Sequence, residues 1–140
     1  LTSAGRDIGS YGFELAELAE HVRFHLRLLA AWREAGHSVS NPRAAITCFD
    51  ESRTTAVAQV MEVLRGEFPD ALIDPYPERE SGRGYYKGLC LMIFATTASG
   101  EEIFLADGGV TDWTAKLLNN AKELFFISGF GAERFCSAFG

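Results

Sequence analysis

Apolar residues recur at helical spacing between Phe13 and Ala35, where Leu15, Leu18, Val22, Leu26 and Leu29 share one face. Glu14, Glu17 and Glu20 fall early in this stretch and Arg23, Arg27 and Arg33 later, as the helix dipole favours, and Gly36 supplies a stop. A second helix is predicted from Arg53 to Phe68, with Val57, Val60, Met61 and Leu64 as its stripe and Asp50 or Ser52 as its cap. Short apolar runs mark strands at Ala44–Phe49, Leu72–Ile73 and Leu124–Ser128. Tyr85–Thr96 and Glu102–Ala106 read as a hairpin around Ala98-Ser99-Gly100. Asp107-Gly108-Gly109 then allows a sharp bend, Thr111–Asn120 forms a short helix, and a last helix starts at Glu133. The stretch Leu1–Gly12 reads as an irregular lead-in or the end of a strand, Ser38–Arg43 as a loop, and Asp74–Arg83 as a polar, proline-rich loop. A central hairpin with short crossovers predicts an α+β domain, an antiparallel β-sheet with helices packed on one face.

Composition narrows the function classes. A chain of 140 residues with 47% hydrophobic residues and eleven Phe is a single domain with a sizeable core. The formal charge of −6 disfavours a broad nucleic-acid face, so tRNA is not supported as a partner, although a local basic patch is compatible with it. No apolar run approaches the ~20 residues of a membrane-spanning helix. Cys48, Cys90 and Cys136 all sit in apolar surroundings without C-x-x-C spacing, which predicts buried free thiols and a cytoplasmic setting. Leu1 at the start and an apparent helix cut short at Gly140 suggest a piece of a longer polypeptide.

Candidate chemistry gathers in the last third. In Gly129-Phe130-Gly131-Ala132-Glu133-Arg134, alternate glycines permit close approach, and Arg134 opens a helix, where its guanidinium would fork onto phosphate or sit in a surface ion pair. Tyr85 and Tyr86 would alternate across a strand, and Asp112 would bind an ammonium group or cap the helix after it. His21 and His25 share a helix face at i, i+4 without a third ligand, and read as a solvated or half-buried pair rather than a metal site. Glu78-Arg79-Glu80 reads as a solvated loop that could cover a pocket.

The order Gly82-Arg83-Gly84-Tyr85-Tyr86, then Gly108-Gly109-Val110-Thr111-Asp112, then Gly129 to Arg134 resembles the back half of a class II aminoacyl-tRNA synthetase core of the histidyl type. Asp7-Ile8-Gly9-Ser10 before the long helix looks like the exit from that family's second signature motif. The resemblance implies a class II synthetase-like fold and a nucleotide site at Gly129, Gly131, Glu133 and Arg134, with Arg134 on the ATP γ-phosphate. It further implies a ligand pocket at Tyr85, Tyr86, Arg83, Gly108, Gly109 and Asp112, with ATP and Mg²⁺ as cofactors and no resident metal. The departures are as informative. The Arg of the family's R-G-L-D-Y-Y falls on Ser81 and its Asp on Gly84, while the Arg and Tyr of G-G-R-Y-D fall on Val110 and Thr111. Arg83 stands two places off and would point to the opposite face of a strand.

Catalysis in this class rests on cations that hold the triphosphate and the carboxylate. With most of them missing, the expected role is a regulatory or non-catalytic domain that binds a nucleotide or amino-acid-like ligand. The family's non-catalytic branch, the regulatory subunit of ATP phosphoribosyltransferase, gives the pattern. Two alternatives stay open: part of an active ATP-dependent amino-acid ligase, or a structural module that forms a homo-oligomer or docks to the rest of a longer chain. The strand Leu89–Ala95 and the many Phe residues near the end of the chain favour the second.

Overall fold

The computed structural model describes residues 1–140. Its elements are β1 (Thr2–Arg6), α1 (Gly12–Glu34), β2 (Ser40–Cys48), a 3₁₀ turn (Glu51–Arg53), α2 (Thr54–Glu67), β3 (Leu72–Pro75), β4 (Leu89–Thr96), β5 (Glu102–Thr111), α3 (Trp113–Leu117), β6 (Glu123–Phe130) and α4 (Ala132–Phe139). The strands form one six-stranded sheet in the order β1-β6-β5-β4-β2-β3. Every neighbouring pair is antiparallel except β2 and β3, which α2 connects as a parallel crossover. The molecule is thus α+β, a six-stranded, mostly antiparallel sheet with its long helices on one face.

The apolar stripes explain the layers. Leu18, Val22, Leu26 and Leu29 of α1 and Val57, Met61 and Leu64 of α2 are buried in one core with Ala44 and Ile46 of β2 and Leu89, Leu91, Ile93 and Ala95 of β4. Because side chains alternate across a strand, these residues fix one face of the sheet as the core face. Phe126 of β6 and Phe135 and Phe139 of α4 complete it. Gly36, at φ 99°, ends α1 in the left-handed conformation that a side chain would disfavour.

Of the two readings of the lead-in, the strand holds: Thr2–Arg6 is an edge strand, β1, paired with β6 through Thr2↔Ile127 to Arg6↔Glu123. Several other expectations need correction. The loop before Ala44 belongs to β2, which starts at Ser40 and accommodates Pro42 by a register shift, with Asn41 at φ 44°. Gly108 and Gly109 make no bend: β5 runs straight through them. They are glycines because neighbours crowd in. A Cβ on Gly108 would lie 2.5 Å from the Ile127 carbonyl oxygen, and one on Gly109 would lie 2.7 Å from that of Leu89. The helix expected over Thr111–Asn120 is the single turn α3. All three cysteines are free, but only Cys90 is buried; Cys48 is half-buried and Cys136 exposed.

His21 and His25 are not solvated. Both are buried between α1 and β6, where His21 Nδ1 and His25 Nε2 each lie 2.8 Å from the Ser128 hydroxyl. The Ser3 hydroxyl lies 3.2 Å from His21 Nε2, and His25 Nδ1 has no partner. One hydroxyl carries one proton, so Ser128 can donate to only one ring and the other ring must donate to it. Desolvation lowers both imidazoles from 6.5 to about 4, and mutual repulsion adds to the effect on His21. The folded chain therefore takes up these protons later than the unfolded chain as the pH falls. Stability is full above pH 6.5 and is lost as pH falls towards 4. The slope is about 1.4 kcal/mol per pH unit for each histidine at most. Urea unfolding between neutral and acid pH should show this loss, and the double variant His21→Gln/His25→Gln should flatten it. An unchanged slope in the variant would exclude the pair as its source.

Candidate functional site

The face opposite the core carries no long helix. Register and alternation place Met92 of β4, Asp107 of β5 and Gly129 of β6 side by side across it, since Met92 pairs with Asp107 and Asp107 with Gly129. Above Gly129 there is open space, with no atom within 4 Å of where its Cβ would stand. One row along, Phe94 and Phe104 are paired, with ring centroids 5.6 Å apart. The loop between β3 and β4 folds over part of this face, and its key residue is Arg79.

Arg79 is only 2% exposed, which corrects the expectation of a solvated loop. Its Nε donates to the Ser81 carbonyl at 2.8 Å, one terminal nitrogen to the Leu91 carbonyl at 3.1 Å, and the other to Asp107 Oδ1 at 2.7 Å. The guanidinium also lies 5.6 Å from the centre of the Tyr86 ring. A single cation thus ties the loop to itself, to β4 and to β5. Asp107 keeps its side chain 38% exposed on the open face. The low surroundings of Tyr86 raise its phenol above the ordinary tyrosine value, first through burial and then through the Asp107 charge. Burial likewise pushes the Cys90 thiol up to about 11, which makes it a poor nucleophile.

The structure moves the tyrosines. Strand β4 begins at Leu89, so Tyr85 and Tyr86 do not alternate across it. They sit in a tight turn with Gly82 at φ 79°, Gly84 at φ 99° and Gly88 at φ 79°. Tyr86 is 7% and Tyr85 45% exposed, their rings meeting edge to face at 5.0 Å. Trp113 of α3 stands against Tyr85 at 5.7 Å and stacks on Phe125 at 6.0 Å, forming an aromatic wall at the end of the open face. Gly109 lies under Tyr86, where a Cβ would come within 2.6 Å of the ring. Arg83 is on no strand face; its guanidinium lies over the Phe49 ring at 4.6 Å. Asp112 makes no side-chain cap. Its carboxylate takes Lys116 at 2.9 Å and Lys87 at 3.7 Å, and the Lys116 hydrogen bond holds it below the usual carboxylate range.

Arg134 opens α4 and reaches over the open face. It donates to the Phe104 carbonyl at 2.8 Å, and its guanidinium lies 5.1 Å from the centre of the Phe104 ring. It is exposed and makes no salt bridge with any carboxylate. Glu133 beside it is also exposed, in the first turn of α4, and Gly131 is the residue before that helix. Arg134, Gly129 and Asp107 therefore share one face, while Tyr85, Tyr86, Gly109 and Asp112 lie at its other end. Phe104 and Gly109 are separated by roughly 15 Å of strand at the usual rise per residue. Sequence reasoning placed Arg79 in a loop that could cover a pocket but missed its partnership with Asp107, because that pair spans a loop and a strand that no spacing connects. The one available sign was a cation in the loop just ahead of the Gly82 motif. No three His, Cys, Asp or Glu side chains converge on a point that could hold a metal ion.

No family model matches the sequence, and no curated protein matches it significantly. Among solved structures, the chain resembles the apo crystal structure of S. aureus histidyl-tRNA synthetase, with a TM-score of 0.69 at 13% identity. The match covers 98% of this chain and 37% of the synthetase chain. At that identity the likeness shows a shared fold, and this chain spans little more than a third of the synthetase's length.

The Arg79 linkage has a direct test. Arg79→Met keeps the stem but removes the donors to the Ser81 and Leu91 carbonyls and to Asp107. It should destabilise the fold by about 1–3 kcal/mol. Amide exchange of residues 76–88 should accelerate more than that of β4 itself. A loop that exchanges as slowly as in the parent chain would show that Arg79 does not hold it.

Proposed function

We propose that this chain is a synthetase-like domain that binds a nucleotide or amino-acid-like small molecule on the open sheet face, in a regulatory or non-catalytic role. The observation that carries this reading is Arg134, a cation without a carboxylate partner, lying on Phe104 over the face that no long helix covers. The start of α4 next to it adds the positive end of a helix dipole, which suits phosphate. ATP with Mg²⁺ fits this end of the face: Arg134 would hold phosphate oxygens, and Mg²⁺ would arrive with the nucleotide, since no converging acids are built to hold it. The partly exposed Asp107 carboxylate and the Tyr85–Tyr86 turn supply polar and aromatic contacts for the remainder of a ligand.

Ligation is not supported on the same residues. Position 81 is Ser, and the nearby Arg79 is fully engaged with Ser81, Leu91 and Asp107. A guanidinium bound in this way cannot also neutralise charge that develops in a transition state. The likeness to the synthetase fold and the three free thiols are consistent with work in the cytoplasm beside a longer chain or a second copy. No helix is long and apolar enough to cross a membrane.

Calorimetric titration with ATP–Mg²⁺ and with histidine, on the parent chain and on Arg134→Ala, tests the proposal. Saturable ATP binding that weakens about tenfold or more in the variant is the expected result, the usual size for a lost charge-assisted bond. No heat with either ligand on a folded sample would overturn it. The exposed Trp113, Leu117 and Leu118 would then favour a docking module.

A further inference from the structure

Away from the open face, a cavity of about 120 Å³ lies between the end of α1, the start of β2 and the turn from α2 to β3. Its lining is mainly apolar, with Leu26, Leu29, Ala30, Val39 and Phe68 among the walls. An apolar cavity of about 150 Å³ admits a benzene-sized molecule, so this one accepts a branched chain of four or five carbons.

Charges at the rim decide what such a chain would be attached to. Three charged residues line the cavity besides its apolar walls: Arg33, Glu67 and Asp70. Glu67 is already engaged, since Arg23 donates to Oε2 at 2.7 Å and to Oε1 at 2.6 Å. Arg33 and Asp70 enter no salt bridge and no side-chain hydrogen bond. They come from different elements, the last turn of α1 and the turn ahead of β3, so one cation and one anion face a single apolar hole. An isolated amine would meet only Asp70, an isolated carboxylate only Arg33. A molecule that carries both groups on one carbon, with an aliphatic side chain, meets all three features.

We propose that this cavity binds a free branched-chain amino acid, with the side chain among Leu26, Leu29 and Phe68, the carboxylate on Arg33 and the ammonium on Asp70. The site is distinct from the open face and does not depend on the reading of Arg134. It would give the domain a second small-molecule input, seated where α1, α2 and the sheet edge meet.

L-leucine titrated into the whole chain, followed by calorimetry and by thermal shift, is the experiment. Saturable binding at millimolar leucine is expected. Arg33→Gln and Asp70→Asn should each weaken it about tenfold or more, as expected for a charge-assisted contact. 4-Methylpentanoate, which lacks the ammonium group, and isoamylamine, which lacks the carboxylate, should lose a similar factor. Ala30→Phe, which fills the cavity from α1, should abolish binding, while Arg134→Ala should leave it unchanged. Both rim substitutions are at exposed positions, so folding is expected to survive them. No binding by a folded parent chain, or binding indifferent to both rim substitutions, would overturn the proposal.

Discussion

The Arg79 guanidinium holds together the part of the molecule on which the proposed function depends. Burying an arginine to 2% exposure is tolerable because its neighbours are acceptors: two backbone carbonyls and one carboxylate. Those acceptors come from the loop, from β4 and from β5, so the arginine fixes where the loop crosses the sheet. Tyr86 packs beneath this crossing, against the bare backbone of Gly109. Removing a side chain at Gly109 and burying a charge at Arg79 are thus two halves of one arrangement. Asp107 then stands on the open face, paired with Arg79 and 38% exposed.

The two faces of the sheet divide the tasks. The core face takes α1, α2 and α4, whose apolar stripes bury Leu89, Leu91 and Ile93 from one side. The buried His21–Ser128–His25 contact pins α1 to β6 on that side and makes its packing sensitive to acid. The opposite face is left with Met92, Asp107, Gly129, the Phe94–Phe104 pair and a free Arg134. Placing chemistry on the exposed face of a rigid sheet keeps positions fixed while leaving room for a ligand.

Much of the fold was legible from local pattern. The stripes at Leu18–Leu29 and Val57–Leu64 were long and strongly periodic, and both helices form within a residue or two of the expected limits. The hairpin followed from the turn at Ala98–Gly100, and Arg134 at the start of α4 followed from the Gly-rich joint before it. What failed was non-local. Two adjacent tyrosines look like strand residues, but Gly82, Gly84 and Gly88 at positive φ turn the backbone there. Gly108-Gly109 looks like a bend, but the glycines admit the Ile127 and Leu89 carbonyls to an unbroken strand. Asp112 looked available for a ligand or a cap, and long-range reach by Lys87 and local reach by Lys116 claim its carboxylate. The histidine pair looked polar at i, i+4, and the Ser128 hydroxyl, with Ser3 on His21, makes its burial tolerable.

The central claim is that the uncovered face, and not the helical side, receives the nucleotide. Backbone amide shifts of isotopically labelled chain, followed by NMR during addition of ATP–Mg²⁺, test it most directly. The account predicts saturable shifts gathered at Phe104, Asp107, Gly129, Gly131 and Arg134, with α1 and α2 silent. Shifts gathered on α1 and α2 instead, or no shift anywhere in a folded spectrum, would contradict it.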